Sequence, residues 1–218
     1  MSEFYILHKQ PLREQEWLLD IFSQQDGRLS VIAGPRQRHC DSLQLMQGRW
    51  SGHDDWPQVR VMECLSELPF SGNALYCALY ITELLARLLP RYEPSPALFH
   101  SYRQTLNGLA GGGLPDPWLR LFEVQLLSGL GYGFSWQQDA SGHVIEDDIH
   151  YDFVPGQGFV GPAVQGIAGR DIIGFARRER NNPAAWLAAK KILRRALDDL
   201  LERPLTSREL ISVSKPNS

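Results

Sequence analysis

The rhythm of apolar positions along this chain changes near Pro69. Before it, apolar residues come in short runs that end at turn-forming residues. Phe4-Tyr5-Ile6-Leu7-His8 is the first run, closed by Pro11. Trp17 to Phe22 is the second, followed by Asp26-Gly27, a strong hairpin signal. Leu29 to Ala33 resumes and stops at Gly34-Pro35, and Leu43 to Met46 and Val59 to Cys64 show period-two alternation. Five short strands in fewer than 70 residues predict a small barrel. The OB-fold is the commonest five-stranded candidate, and an SH3-like barrel fits the spacing almost as well.

After Pro69 the period becomes helical. Residues 72–89 place Leu75, Ala78, Leu79, Ile81, Leu84, Leu85, Leu88 and Leu89 over most of a helix circumference, with Ser71 to cap the start and Pro90 to stop it. A helix this apolar belongs inside a bundle. A second helix is predicted over 95–110, ending before Gly111-Gly112-Gly113. A third has Asp116 as N-cap, Pro117 at its first position and Gly131 beyond its end, with Leu119, Phe122, Leu126 and Leu130 inward. A short helix near 169–179 precedes a fourth long one, opening at Asn182-Pro183 and running to about Arg203 with Trp186, Ala189, Leu193, Leu197 and Leu200 on one stripe. A last turn is expected near 206–212. Residues 132–165, rich in Gly, aromatics and acids, read as an irregular or β-hairpin insertion. The resulting fold class is α+β: an N-terminal barrel over 1–69, then a helical bundle over 70–213 holding the 132–165 insertion, then a flexible tail over 214–218.

Composition changes this picture little. The chain has 218 residues, 43% of them hydrophobic and 22% charged, as in an ordinary globular protein. No apolar run approaches the roughly 18 residues that span a bilayer. The N-terminus lacks the basic start and small-residue cleavage site of a secretory signal, so a cytoplasmic protein is expected. Cys40, Cys64 and Cys77 are odd in number and widely spaced, which is neither a disulfide framework nor a zinc site. The net charge of −3 hides an asymmetry, since residues 170–208 are strongly basic while residues 139–153 carry five acids and no Lys or Arg.

No catalytic set emerges. Gly111 to Gly113 is followed by Leu and Pro and lacks the lysine of a phosphate-binding loop, and no G-x-S-x-G elbow is present. The six His are scattered. His143, Glu146, Asp147, Asp148, His150 and Asp152 invite a hard-cation site, but the spacing is irregular, and a solvated acidic loop is the usual meaning of such a run. Neither an enzyme nor a cofactor or metal is expected.

Several collinear strings resemble the RecO family: Ile6-Leu7-His8, Asp20-Ile21-Phe22 and Gly27-Arg28-Leu29 in the first part, then Ser71-Gly72 with Leu75-Tyr76 and Leu79 to Leu85. Phe122-Glu123, Leu126-Leu127, Leu130 to Gly133, Gly158-Phe159 and Pro204 to Leu210 follow in order. Each is weak alone, but together they span nearly the whole chain. The resemblance implies an OB domain followed by a helical domain. It also implies a non-enzymatic recombination mediator in DNA repair, cytoplasmic and nucleoid-associated. Its implied partners are single- and double-stranded DNA, the C-terminal tail of single-stranded DNA-binding protein (SSB), and RecR, with RecF and RecA as further candidates. It would promote strand annealing and RecA loading on SSB-coated gaps. Some members bind zinc through four cysteines in the insertion; residues 132–165 contain none, so the chain resembles the zinc-free branch.

For DNA, the barrel loops offer Arg28, Arg36, Arg38 and Arg49, fewer cations than the family usually places there. Trp17, Trp50 and Trp56 are either stacking surfaces or core. A second basic surface comprises Arg177, Arg178 and Arg180 with Lys190, Lys191, Arg194 and Arg195, either a DNA contact or a solvated face neutralised by Asp198 and Asp199. The SSB tail needs an apolar pocket and a cation for its terminal carboxylate. Arg120 beside Leu119 and Phe122 is the candidate, with an internal pair to Glu123 or Asp116 as the competing role. A different class, an OB-domain accessory protein for RNA or DNA with a changed ligand, is motivated by the sparse basic loop.

Overall fold

A computed structural model describes residues 1–37, 39–52 and 56–208. Five strands form a closed barrel: β1 (Ser2–Arg13), β2 (Glu16–Ser23), β3 (Gly27–Ala33), β4 (Leu45–Ser51) and β5 (Gln58–Ser66). Their order around the barrel is β1-β2-β3-β5-β4, with β1 closing on β4 and β3 parallel to β5 at Ile32 and Gln58. This connectivity is that of an OB-fold. β1 is longer than expected because it continues through Pro11. Pro has no N–H to give a ladder, and the register shifts next to it, between Pro11 and Arg13.

Period two fills the barrel. Phe4 and Ile6, Leu19 and Ile21, Leu29, Val31 and Ala33, and Met46 are fully or nearly fully buried together. The opposite faces of β1 and β2 are also covered, which alternation alone did not disclose. Helices α1 (Gly72–Leu88) and α2 (Pro96–Ala110) follow. Tyr5 packs on Phe99 and edge-on to Tyr102 at 4.9 Å, and Phe22 meets Phe99 at 5.4 Å. The chain therefore packs as two compact units divided elsewhere than at 69/70. The first is Met1–Pro115 with the segment from Leu205 on, and the second is Asp116–Pro204.

Polar contacts fasten the first unit. Arg28 grips the Asp20 carboxylate through Nε and Nη2, the latter at 2.7 Å, and donates from Nη1 to the Leu89 carbonyl at 2.9 Å. Arg91 donates to Ser30 Oγ, and the Tyr92 amide donates to the Arg28 carbonyl. Gly27, at φ +73°, lies so close to the Glu93 backbone that any Cβ would collide with it. Ser71 occupies the N-cap of α1 but makes no cap hydrogen bond. Leu89, extended ahead of Pro90, ends the helix as the residue before proline must. Glu83 accepts hydrogen bonds from the Thr206 and Ser207 amides and from Ser207 Oγ, and pairs with Arg87 at 2.6 Å.

The second unit opens with α3 (Pro115–Gly129), which starts at Pro115; Asp116 thus lies inside the first turn, where its charge suits the dipole, and is not the cap. A three-stranded sheet ordered β7-β6-β8 occupies the insertion, with β6 (His150–Val154), β7 (Gly158–Val160) and β8 (Ile167–Ala168). Helices α4 (Gly169–Ala176) and α5 (Pro183–Leu200) complete it, α5 stopping three residues short of the expected Arg203. The Asn182 side chain caps α5 by accepting from the Ala185 amide. The aromatics of the insertion form a core in which Trp136 packs tilted on Phe175 at 4.4 Å and Phe134 on Phe153 at 4.7 Å.

Candidate functional site

The four barrel arginines meet different fates. Arg28 is a structural residue, its donors committed to Asp20 and the Leu89 carbonyl, so it does not serve the DNA contact expected of it. Arg36, on the short turn Pro35–Gln37, and Arg49, on β4, are exposed. Arg38 lies outside the described residues. Of the tryptophans, Trp17 carries Lys9 over its ring at 4.6 Å, and Trp50 sits edge-on to Phe4 and packs against the barrel core. Trp56 is 44% exposed. The barrel thus offers two described cations and one aromatic to a ligand from among the residues expected to do so.

Arg120 does not reach a surface carboxylate. It is 4% exposed and its Nη1 lies 2.8 Å from Glu123 Oε2, with Glu123 wholly buried. Leu119 and Phe122 are buried beside it. A charge in that position is stable only because its counter-ion is one turn away on the same face. The expected SSB-tail trio is therefore the packed inner face of α3, and none of its members is available to a peptide.

An open cavity of about 430 Å³ does lie on this unit, toward the end of the same helix. Val124, Leu127 and Ser128 of α3, Gly131, Gly133, Phe134, Ser135 and Trp136 of the following segment, and Leu193 of α5 line it. The exposed lining is at least as polar as it is apolar, with Leu127, Phe134, Trp136 and Leu193 set among Ser128, Ser135 and the glycines. The sequence signal was present in the Gly133-Phe134-Ser135-Trp136 run, where small residues alternate with rings, but only the return of α5 completes the wall.

Along α5, Lys190, Lys191, Arg194 and Arg195 are all exposed. Lys190 lies 3.3 Å from Asp116 and Arg194 3.6 Å from Asp198 in solvent-exposed pairs, which contribute little. No ion pair engages Lys191 or Arg195 among the described residues. Of the two pairs expected to neutralise this face, Arg194 with Asp198 is present, while Lys190 pairs with Asp116. No group of three His, Cys, Asp or Glu side chains that could hold a metal occurs among the described residues. Nor is any described helix long and apolar enough to cross a membrane. Cys40, Cys64 and Cys77 are free thiols, and burial raises the Cys40 thiol above its ordinary range, Lys9 opposing.

The chain matches a family model described as "Recombination protein O C terminal" over residues 69–209. It is 36% identical to a protein named DNA repair protein RecO from Aliivibrio fischeri, covering 96% of this chain and 94% of that one. Proteins of the same name from Haemophilus influenzae and Yersinia pestis are also 36% identical, over 95% and 94% of this chain and 94% and 91% of theirs. A barrel of OB connectivity, a family model matched over residues 69–209 and near end-to-end relatives agree, and the chain belongs to the RecO family of DNA repair proteins.

Proposed function

We propose that this chain is a recombination mediator that works by binding alone. It binds single- and double-stranded DNA, takes the C-terminal tail of SSB into its helical unit, and engages RecR. By remodelling the SSB coat it promotes strand annealing and RecA loading on gapped DNA. The observation that carries the reading is the cavity at Leu127, Phe134, Trp136 and Leu193, beside a helix whose exposed face is cationic. An acidic tail with an aromatic end needs both parts: the ring enters the apolar lining, and the cations of α5 meet the acids. On the barrel, Arg36 and Arg49 are the described candidates for phosphate, and the sparseness of cations there makes the helical unit the principal docking element.

Titration of a labelled SSB-tail peptide, with and without its terminal Phe, tests this. Micromolar binding that depends on that Phe is expected. Ser128→Phe, which adds a ring at the pocket edge from an exposed position, should weaken binding about tenfold or more, some 1.4 kcal/mol. Absence of micromolar binding, or indifference to the terminal Phe, refutes the reading. An OB-domain accessory protein with a changed ligand would give that result.

A further inference from the structure

The tight turn between α4 and α5 carries Arg177, Arg178 and Arg180, all exposed, with Arg170 exposed one helix earlier. None of the three turn arginines makes an ion pair or side-chain hydrogen bond among the described residues. The one acid of the turn is used internally: Glu179 accepts from Asn182 Nδ2 at 3.1 Å, its amide donates to the Gly174 carbonyl, and its own carbonyl accepts from Trp186 Nε1 at 2.9 Å. Close approach of the two helices fixes the corner. A Cβ on Gly174 would fall 2.6 Å from Asn182 Nδ2 and 3.1 Å from the Ala185 Cβ. Arg178 itself is held at φ +56°, a conformation rarely adopted by a residue with a side chain. Three permanent charges thus fall within four residues of a turn whose backbone is constrained at Gly174 and Arg178.

The order of charge along the next helix points the same way. From the turn the sequence runs through Lys190, Lys191, Arg194 and Arg195 to Asp198 and Asp199, with no acid in the first turn of α5 and no base in the last. A helix arranged for its own stability has the opposite order, acids first and bases last. A polyanion at the cationic end offsets the repulsion that the chain otherwise bears. Lys191 lies about 12 Å along the axis from Pro183, so the cations form a track and not a single point.

We propose that this corner grips the phosphate backbone of duplex DNA, with Arg177, Arg178 and Arg180 as its preset contacts. The inference rests on the DNA-binding reading above and adds a site to it. Duplex is favoured over single strand because binding of unpaired bases uses free aromatic faces. The two aromatics flanking the turn in sequence, Phe175 and Trp186, engage each other at 5.2 Å, and Trp186 Nε1 also donates to the Glu179 carbonyl.

The test compares wild type, Arg177→Gln/Arg178→Gln/Arg180→Gln and the barrel variant Arg36→Gln/Arg49→Gln. Each is titrated against a labelled duplex and a labelled oligothymidine over a salt series. For the corner variant, the slope of log affinity against log salt for duplex should fall in magnitude by about 2–3 relative to wild type, while the oligothymidine slope changes less. Arginine-selective modification of wild type, with and without duplex, is a second readout and should show the 177–180 peptide protected. An unchanged duplex slope, a change confined to oligothymidine, or no protection overturns the corner site. If the barrel variant alone loses slope, the DNA reading survives without the corner; if wild type binds neither ligand, the reading itself fails.

Discussion

The two compact units spend their arginines in opposite ways. In the first unit, Arg36 and Arg49 are exposed, but four other arginines are bound into the fold. Arg28 holds Asp20 and a carbonyl, Arg87 holds Glu83, Arg91 holds Ser30, and Arg103 reaches Glu3 at 2.9 Å. In the second unit, Arg177, Arg178, Arg180, Lys191 and Arg195 stand exposed without ionic partners among the described residues. A cation's place in the chain therefore says less about its role than the acceptors within its reach. Desolvated and paired, it is a fastening whose removal is costly; solvated and unpaired, it is a contact whose removal leaves the fold intact.

Arg120 is the exception that sharpens the contrast, since it belongs to the second unit and is buried. Arg120→Ala should produce the largest loss, about 3–5 kcal/mol in urea denaturation, because it strands the Glu123 carboxylate in the interior. The double variant Arg120→Met/Glu123→Leu should recover most of that loss. An Arg120→Ala protein of unchanged stability would remove the pair from the list of fastenings.

Arg28→Ala comes next, at about 2–3 kcal/mol, since it breaks charge-assisted hydrogen bonds to Asp20 and the link to Leu89. Its DNA affinity, measured on the fraction that remains folded, should stay at the wild-type level. A large loss of affinity with little change in stability would return Arg28 to the ligand face.

Glu83 gives the smallest expected effect and one that depends on pH. Partial burial pushes its carboxyl up, but hydrogen bonds from the Ser207 hydroxyl, from the Ser207 and Thr206 amides, and the Arg87 charge outweigh this and hold it below the ordinary value. The depressed folded value means that the carboxylate stabilises the protein above the usual carboxylate range, near pH 4.3. That contribution is lost as pH falls through the lowered value. Glu83→Gln should therefore cost about 1–2 kcal/mol at neutral pH, with the gap to wild type closing in acid. A gap that persists once the Glu83 carboxyl is fully protonated in strong acid would show that the loss is one of packing and not of charge.

How far the sequence disclosed this depended on the length scale of the signal. The barrel strands were legible because Phe4 and Ile6, or Leu29, Val31 and Ala33, alternate in register with the pleat. The helices were legible from their punctuation at Pro90, Pro183 and the glycine run at 111–113. The grouping of α1 and α2 with the barrel was not, because it rests on Tyr5 and Phe22 meeting Phe99 and Tyr102, residues far apart in the chain. The inward turn of Arg120 was one of the two roles its sequence allowed, since Glu123 sits three residues on and shares its face. The pocket could not, as its two walls, Leu127 and Leu193, are joined only by folding.

The hold of Glu83 on Thr206 and Ser207 has a consequence for the order in which the molecule is made. Those residues leave the ribosome after all of Asp116–Pro204, so the first unit to be translated is the last to be finished. Until then Glu83 has its helix neighbour Arg87 but lacks the Thr206 and Ser207 donors, while the second unit assembles from consecutive chain. A chain that stops before Thr206 would thus lack a fastening in the part of it made first.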